Sequence, residues 1–201
     1  MNQPPPEPIS PPAAPVRGRE LRADARRNRE RVVAAAQQLF ATEGLGVSLD
    51  EVARRAGVGP GTVHRHFPTK EALYLAVSID QIAQLVAEAS TLTATDDPAA
   101  LFTLLSRMIA NGIENILVKS ALSAIGFDLR TAAPELAHTL TAHVETLLAR
   151  ARTADLARDD VTPREIMALI AGALHAAAYA GEPSPSHLGA IILDGLRPQV
   201  R

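Results

Sequence analysis

The sequence predicts an all-α protein, and three observations lead to this prediction. Apolar residues recur three and four positions apart almost throughout the chain after Arg26. No segment alternates apolar and polar residues as a half-buried strand does. Alanine, the strongest helix former, makes up about 18% of the 201 residues. A chain of this length forms one or two small domains with a buried core.

The N-terminal segment is predicted to be a disordered arm over residues 1–24, rich first in proline and then in arginine. Seven of the 15 prolines lie within residues 1–16, a composition that favours disorder or polyproline II. The alternative is a ligand for a proline-recognition domain. The segment lacks the apolar core of a signal peptide, and no stretch of about 18 apolar residues follows it, so we expect a cytoplasmic protein without a membrane span.

Three helices are expected next. The first runs from about Ala25 to Glu43, with Gly44 as its stop signal. Its apolar stripe consists of Val32, Val33, Ala36, Leu39 and Phe40. The second follows Ser48 and ends near Ala56; Ser48 and Glu51 have the spacing of a reciprocal capping box. The third runs from Pro60 to Phe67, because proline suits the first position of a helix.

A fourth helix is expected from the cap at Thr69 to about Ser90. Its apolar residues lie nearly all round, which predicts a connector buried on several sides. The rest of the chain is expected to be helical over residues 98–116, 117–130, 134–152, 163–180 and 186–196.

Charge is distributed unevenly along the chain, although the net charge is only −2. From Arg17 to Lys70 there are 11 basic and 6 acidic residues, and from Glu71 to Arg201 there are 9 and 15. This asymmetry predicts an anion-binding head on a body that binds something else, with chance surface composition as the alternative. The absence of cysteine excludes disulfides and thiolate chemistry, and 3% aromatics argue against a stacking platform for single strands.

The spacing over residues 48–67 is that of a helix-turn-helix, whose second helix enters the major groove of DNA. Val63 and Phe67 are four apart and can pack inward together. The other positions of that helix are small or carry donors, and none is acidic, which suits phosphates and base edges. By spacing alone, an ordinary helical hairpin in a core remains the alternative.

Residues 26–86 resemble the tetracycline-repressor-type (TetR) family of transcription regulators. The resemblance rests on RVVAAAQQLF at 31–40, then Gly44, then SLDEVARRAGVGPGTVHRHFPTKEALYLAV at 48–77. It implies a three-helix DNA-binding domain over 25–86, joined by a connector helix to a ligand-binding and dimerisation domain over 87–201. It also implies DNA contacts by Ser48, Pro60, Gly61, Thr62, His64, Arg65, His66 and Lys70.

Two departures from the family pattern concern DNA contacts. Asp50 occupies a position where some members have a base-contacting cation, and an acid cannot make that contact. Gly59-Pro60 replaces a common Ser-Lys pair, so one phosphate contact is expected to be missing. The arginines between Arg17 and Arg29 are expected to compensate as an arm on the DNA backbone or in a minor groove. The alternative is a solvated helix start.

The last two long helices are the expected dimer interface, because small residues at four-residue spacing allow close helix approach. The residues expected there are Ile166, Ile170, Ala173, Ala177, Leu188 and Ile192. A monomeric bundle is the alternative. Pocket candidates for a small-molecule effector are polar residues in apolar helices and their neighbours: Arg107, Met108, Asn111, Asn115, Phe127, His175 and Tyr179. For each, a satisfied core or interface group is the alternative.

The expected function is a homodimeric repressor of a palindromic operator that a ligand releases. Alternatives are an activator or a helical interaction protein with the same DNA-binding head. An enzyme is not expected, because no nucleophile, acid–base pair or metal cage converges in the sequence. No cofactor and no metal are expected either. His64 and His66 lie about 200° apart around a helix and cannot chelate one ion.

Overall fold

The computed structural model describes residues 16–115, 118, 121–122, 124–126, 129–180 and 185–198, and its regular elements in these ranges are all helices. This confirms the predicted all-α fold. In chain order the helices are α1 (Val16–Glu43), α2 (Leu49–Ala56), α3 (Pro60–His66), α4 (Lys70–Thr93), α5 (Ala100–Glu114), α6 (Leu129–Ala132), α7 (Pro134–Thr153), α8 (Pro163–Ala180) and α9 (Pro185–Gly195).

The head consists of α1 to α3 and the first half of α4, packed around one apolar core. The stripe predicted for α1 lies in this core, since Val32 and Ala36 are fully buried. Phe40 meets Tyr74 of α4 edge to face, with ring centroids 5.0 Å apart. Such a pair stabilises the fold by about 0.5–1.5 kcal/mol beyond the area it buries. Val63 of α3 closes the core, so the position of α3 is fixed by apolar packing.

Helix α1 begins at Val16, nine residues before the start predicted near Ala25. Residues 16–24 are therefore helical, and the prediction of a disordered arm was wrong for them. The prediction failed because it relied on apolar periodicity. From Arg22 to Arg31 no side chain is buried, and the first buried residue of α1 is Val32.

Helix α4 connects the head to the body. Its Leu73 and Val77 lie in the head core, and its Leu85 and Ala89 lie in a second core formed mainly by α5, α7 and α8. This confirms a connector buried on several sides. By length and apolar composition α4 is the one described helix able to cross a membrane, but half of its most apolar window is buried, as in a core helix. Val118 and Leu122, which follow α5, also pack into the head core.

The C-terminal end of α4 is held by α7. Arg150 donates from Nη2 to the Thr93 carbonyl oxygen at 2.9 Å and from Nη1 to that of Thr95. The Thr93 hydroxyl is 3.0 Å from Nδ1 of His143. These bonds satisfy carbonyl groups that a helix end leaves without intrahelical partners, and α4 extends to Thr93 instead of ending near Ser90.

The starts of α5 and α8 differ in how well the sequence predicted them. The Asp97 carboxylate accepts from the Ala99 amide at 2.8 Å, but α5 begins at Ala100, not at Pro98. At α8 the expected capping box is complete. The Thr162 hydroxyl accepts from the Glu165 amide at 3.2 Å, and the Glu165 carboxylate accepts from the Thr162 amide at 2.7 Å.

Candidate nucleic-acid interface

Helix α2 begins at a side-chain cap. Ser48 has an extended backbone, and its Oγ accepts from the Glu51 amide at 3.1 Å. The second half of the predicted capping box was wrong: the Glu51 carboxylate accepts from Arg54 at 2.6 Å. An i,i+3 ion pair is available on the same exposed surface and competes for that carboxylate. The Ser48 side chain is exposed at the start of α2, so it is accessible to a phosphate.

The turn between α2 and α3 depends on a glycine. Gly57 ends α2 in the left-handed conformation, with φ +64° and ψ +40°. Its carbonyl oxygen accepts from Nη2 of Arg31 at 3.1 Å, which ties the turn to α1. A Cβ atom at this position would lie 2.7 Å from the same guanidinium nitrogen. The left-handed conformation therefore favours glycine, whereas the close contact is with the end of a flexible side chain that can move aside.

Helix α3 turns one face inward and the other toward solvent. Val63 is fully buried and Phe67, the residue that follows the helix, is 1% exposed. The outer surface consists of exposed Pro60, Gly61, His64 and Arg65, with Thr62 and His66 half-buried beside them. The structure thus places these six predicted residues on a single short helix, and α3 itself carries no acid. Such a surface offers donors to phosphates and base edges.

One carboxylate faces this surface from α2. Oδ1 of Asp50 is 3.3 Å from Nε2 of His64, and both side chains are more than half exposed. This contact could not be predicted from the sequence, because the two residues are 14 positions apart. Helical spacing could only have placed Asp50 on the first turn of α2. The pair occupies one nitrogen of a predicted DNA-binding histidine.

Lys70 lies differently from the other predicted DNA contacts. Its Nζ donates to the carbonyl oxygens of Leu45 and Gly46, at 3.3 and 3.4 Å, and its side chain is half-buried. The Tyr74 hydroxyl also donates to Leu45, at 3.2 Å, and burial raises the pKa of this phenol. These bonds order the loop that leads into α2. The role of Lys70 in this structure is therefore to position α2, and its phosphate contact stays a prediction.

An open apolar groove of about 770 Å³ lies between α8 and α9. Three of the predicted dimer residues, Ala173, Leu188 and Ile192, line it. Leu169 and Ile191 line it too, with 51% and 54% of their surface exposed. Both belong to the apolar faces of the two helices for which the sequence predicts a dimer interface. The side chain of Ala177 lies outside the described residues.

Two residues predicted at the dimer interface lie elsewhere. Ile166 is fully buried and Ile170 is 4% exposed, both in the body core of the same subunit. Their assignment to a surface was wrong. They are four apart, so they share the face of α8 that packs inward, whereas Leu169 and Ala173 lie on a neighbouring face.

The predicted pocket residues are divided between surface and core. Arg107 is exposed and pairs with Glu88 of α4 at 3.5 Å, and His175 is also exposed. Met108 and Asn115 are buried; Nδ2 of Asn115 donates to the carbonyl oxygen of half-buried Asn111 at 2.9 Å. The remaining two candidates, Phe127 and the side chain of Tyr179, lie outside the described residues.

Two family models match the chain. "Bacterial regulatory proteins, tetR family" matches residues 32–77, and "Transcriptional regulator SbtR-like, C-terminal domain" matches residues 96–198. Curated HTH-type transcriptional regulators from Staphylococcus aureus are 41% identical over 54 residues. That alignment spans 26% of this chain and only 29% of the staphylococcal protein.

Solved structures match over most of the chain. A TetR transcription regulatory protein from Mycobacterium vanbaalenii is 42% identical, with a TM-score of 0.67, and the match covers 89% of this chain and 99% of that one. The regulator SCO0520 from Streptomyces coelicolor is 30% identical, with a TM-score of 0.64 over 86% and 99% of the two chains. A Saccharomonospora viridis regulator, solved in complex with choline, is 17% identical and shares the fold, with a TM-score of 0.59 over 83% of this chain and 93% of that one.

The family models and the solved structures agree with the geometry of the head. They cover the helix-turn-helix and the helical body alike. The chain belongs to the TetR family of DNA-binding transcriptional regulators.

Proposed function

We propose that this regulator is a cytoplasmic homodimeric repressor that binds a palindromic DNA operator through α3 and leaves it when a small molecule binds the body. The observation that carries the proposal is the outer surface of α3. It presents donors and small residues, carries no acid and rests on an apolar core.

Each residue of that surface has a role that its chemistry supports. Arg65 is exposed and carries a guanidinium, which pairs with guanine O6 and N7 in the major groove. Thr62 and His66 donate to phosphates, and Ser48 does so at the start of α2, where amides and the helix dipole favour an anion. Gly61 has no Cβ and open space around it, so the backbone can approach DNA closely.

A second copy of the chain is the proposed occupant of the groove between α8 and α9. Leu169 and Ile191 are the large apolar residues exposed there, and the groove floor is made of small residues such as Ala173 and Ala176. Small residues let two pairs of helices approach closely. A two-fold dimer presents its two α3 helices to half-sites about 34–36 Å apart, which matches a palindrome.

The proposed route from effector to DNA runs through α4 and the segment after α5. Helix α4 contributes Val77 to the head core and Leu85 to the body core, while Val118 and Leu122 join the body to the head core. A ligand that favours one arrangement of the body shifts these elements and changes the distance between the two α3 helices. The choline complex of the Saccharomonospora viridis regulator supports a small-molecule effector for this fold.

The test of DNA recognition is selection from a pool of random duplexes with the purified full chain at physiological salt. The expected result is an enriched palindrome whose half-site centres are one helical turn apart. Recovery of the pool without enrichment contradicts the proposal. A reporter promoter that carries the selected site tests repression: expression falls when the chain is present, and an increase identifies an activator.

A further inference from the structure

The extension of α1 is an unusual piece of helix. Between Arg22 and Arg31 none of its side chains is buried, yet the helix is continuous with the packed part that begins at Val32. Helices in proteins gain most of their stability by packing an apolar face. Residues 22–30 contain four arginines and two acids, all six of them exposed, so this part of α1 presents positive charge to solvent.

Three of these arginines form a stripe. At 100° per residue, Arg22, Arg26 and Arg29 lie within about 60° of one another around α1. Arg27 lies outside this sector and is paired with Asp24. Arg26 is 3.5 Å from Glu30, with 74% and 61% of the two side chains exposed, and such exposed pairs contribute little. We name Arg22, Arg26 and Arg29 the arginine stripe.

The arginine stripe starts beside the recognition helix. The Arg29 guanidinium lies 5.5 Å from the centroid of the Phe67 ring, and Phe67 is the residue that caps the C-terminal end of α3. Arg65, the proposed base reader, is two positions earlier, on the outer surface of α3 and about 200° around the helix from buried Phe67. The arginine stripe therefore begins beside the C-terminal end of α3 and runs toward the N-terminal end of α1.

We propose that the arginine stripe binds backbone phosphates of the duplex just outside the bases that α3 contacts; this inference rests on the proposed function. Charge complementarity and the contact between Arg29 and the residue that ends α3 assign the occupant. Arg29 lies seven positions after Arg22, about 10 Å along a helix. Phosphates of one strand recur about every 3.4 Å along the duplex axis, so the stripe spans about three of them. Because α1 is helical here, the stripe is a rigid surface, unlike a flexible arm.

Phosphate contacts make two measurable contributions. They strengthen binding to every sequence alike. Each contact also makes the slope of the log binding constant against log salt concentration more negative by about 0.9. The double variant Arg22→Gln/Arg26→Gln leaves Arg29 on Phe67 and removes two contacts from each subunit, which is four from the proposed dimer. We expect its salt slope to be shallower by about 3.6, with unchanged base preference.

The experiment titrates the full chain and its variants against the selected operator from 50 to 300 mM salt. Two duplexes are compared, one with ten flanking base pairs on each side and one trimmed to the half-sites. The matched control is Arg164→Gln/Arg197→Gln, which removes the same net charge. Both arginines are exposed and lie on the body, one on α8 and one after α9. Circular dichroism checks that both variants keep their helices.

The expected result is a shallower slope for the stripe variant on the long duplex, no difference from wild type on the trimmed duplex, and a wild-type slope for the control. An unchanged slope for the stripe variant, or an equal loss in the control, overturns the inference. If wild type binds without sequence preference but the stripe variant still has a shallower slope than wild type, the proposed operator is wrong and the phosphate surface stands.

Discussion

Among individual residues, Asp50 is the exception on the DNA-facing surface. Its carboxylate is 3.3 Å from His64 and 70% exposed, so it is solvated and close to where phosphates would lie. A carboxylate accepts hydrogen bonds but repels phosphates. The contact with His64 holds two exposed side chains together across the α2–α3 turn, and it places a negative charge beside the recognition helix.

Replacing this charge tests its electrostatic effect. The change Asp50→Asn keeps the shape and removes one negative charge, so DNA affinity for all sequences is expected to rise by about 1 kcal/mol, roughly fivefold. Fluorescence anisotropy at 100 mM salt measures it. Asp159→Asn, on an exposed loop of the body, serves as control and should leave affinity unchanged. A loss of affinity in Asp50→Asn would mean that the carboxylate itself contacts a base.

A substitution at Gly112 tests how closely α5 and α8 approach each other. A Cβ atom at Gly112 of α5 would lie 2.2 Å from Cδ1 of Leu174 on α8 and 3.0 Å from its Cγ. Gly112→Ala must displace the whole Leu174 side chain, and overpacking of this kind costs about 1–3 kcal/mol. We expect a lower thermal midpoint. Gly61→Ala, with open space around it, should not lower the midpoint, and an unchanged midpoint for both variants would contradict this packing.

The individual helices show which sequence signals were sufficient to predict a helix and its buried face. The stripe of α1 and the boundaries of α2 and α3 were predictable, because a buried apolar face, the Ser48 cap and Gly57 each leave a local signal. The extension of α1 left none, since no side chain from Arg22 to Arg31 is buried. The wrong assignment of Ile166 to the dimer interface has another cause. Both faces of α8 contain apolar residues, and only the packed structure distinguishes the face in the core from the face in the groove.

The capping box of α8 predicts a pH dependence. Hydrogen bonds from the Thr162 hydroxyl and then from its amide lower the pKa of the Glu165 carboxyl below its ordinary 4.5. The ionised form therefore stabilises the fold at pH values above 4.5. That contribution declines as the pH falls below 4.5 and is lost once the pH passes the pKa of the folded state.

The variant Glu165→Gln removes this titration. At pH 7 its thermal midpoint should lie below that of wild type, and the gap should shrink as the pH falls toward 3. Scanning calorimetry at pH 7, 5, 4 and 3 measures the gap. A gap of constant size would show that ionisation of Glu165 does not contribute.

For the whole molecule, the apolar groove between α8 and α9 predicts the oligomeric state. Leu169→Glu places a charge where a second copy is expected to pack, so the variant should be monomeric in sedimentation velocity and should bind the operator more weakly. Ile125→Glu is the matched control, because Ile125 is 61% exposed and is not among the residues that line the groove. A dimeric Leu169→Glu chain would place the interface on another face.

The DNA-binding site was more predictable than the body. Its residues follow one another on α3, so their spacing alone brings them together. The contacts of Asp50 and Lys70 required the packing of α2, α3 and the preceding loop. An effector pocket requires side chains from several helices, and local periodicity does not specify which of them converge; Arg107 faces Glu88 and not the core.

The proposed function depends above all on base recognition by Arg65 of α3. Wild type and Arg65→Ala are titrated, at one salt concentration, against the selected operator and every single-base variant of one half-site. Arg65→Ala is expected to lose about 1–3 kcal/mol of operator-binding free energy and to lose its base preference at a single position of the half-site. An equal loss on all duplexes, random sequences included, or no loss at all, would contradict it.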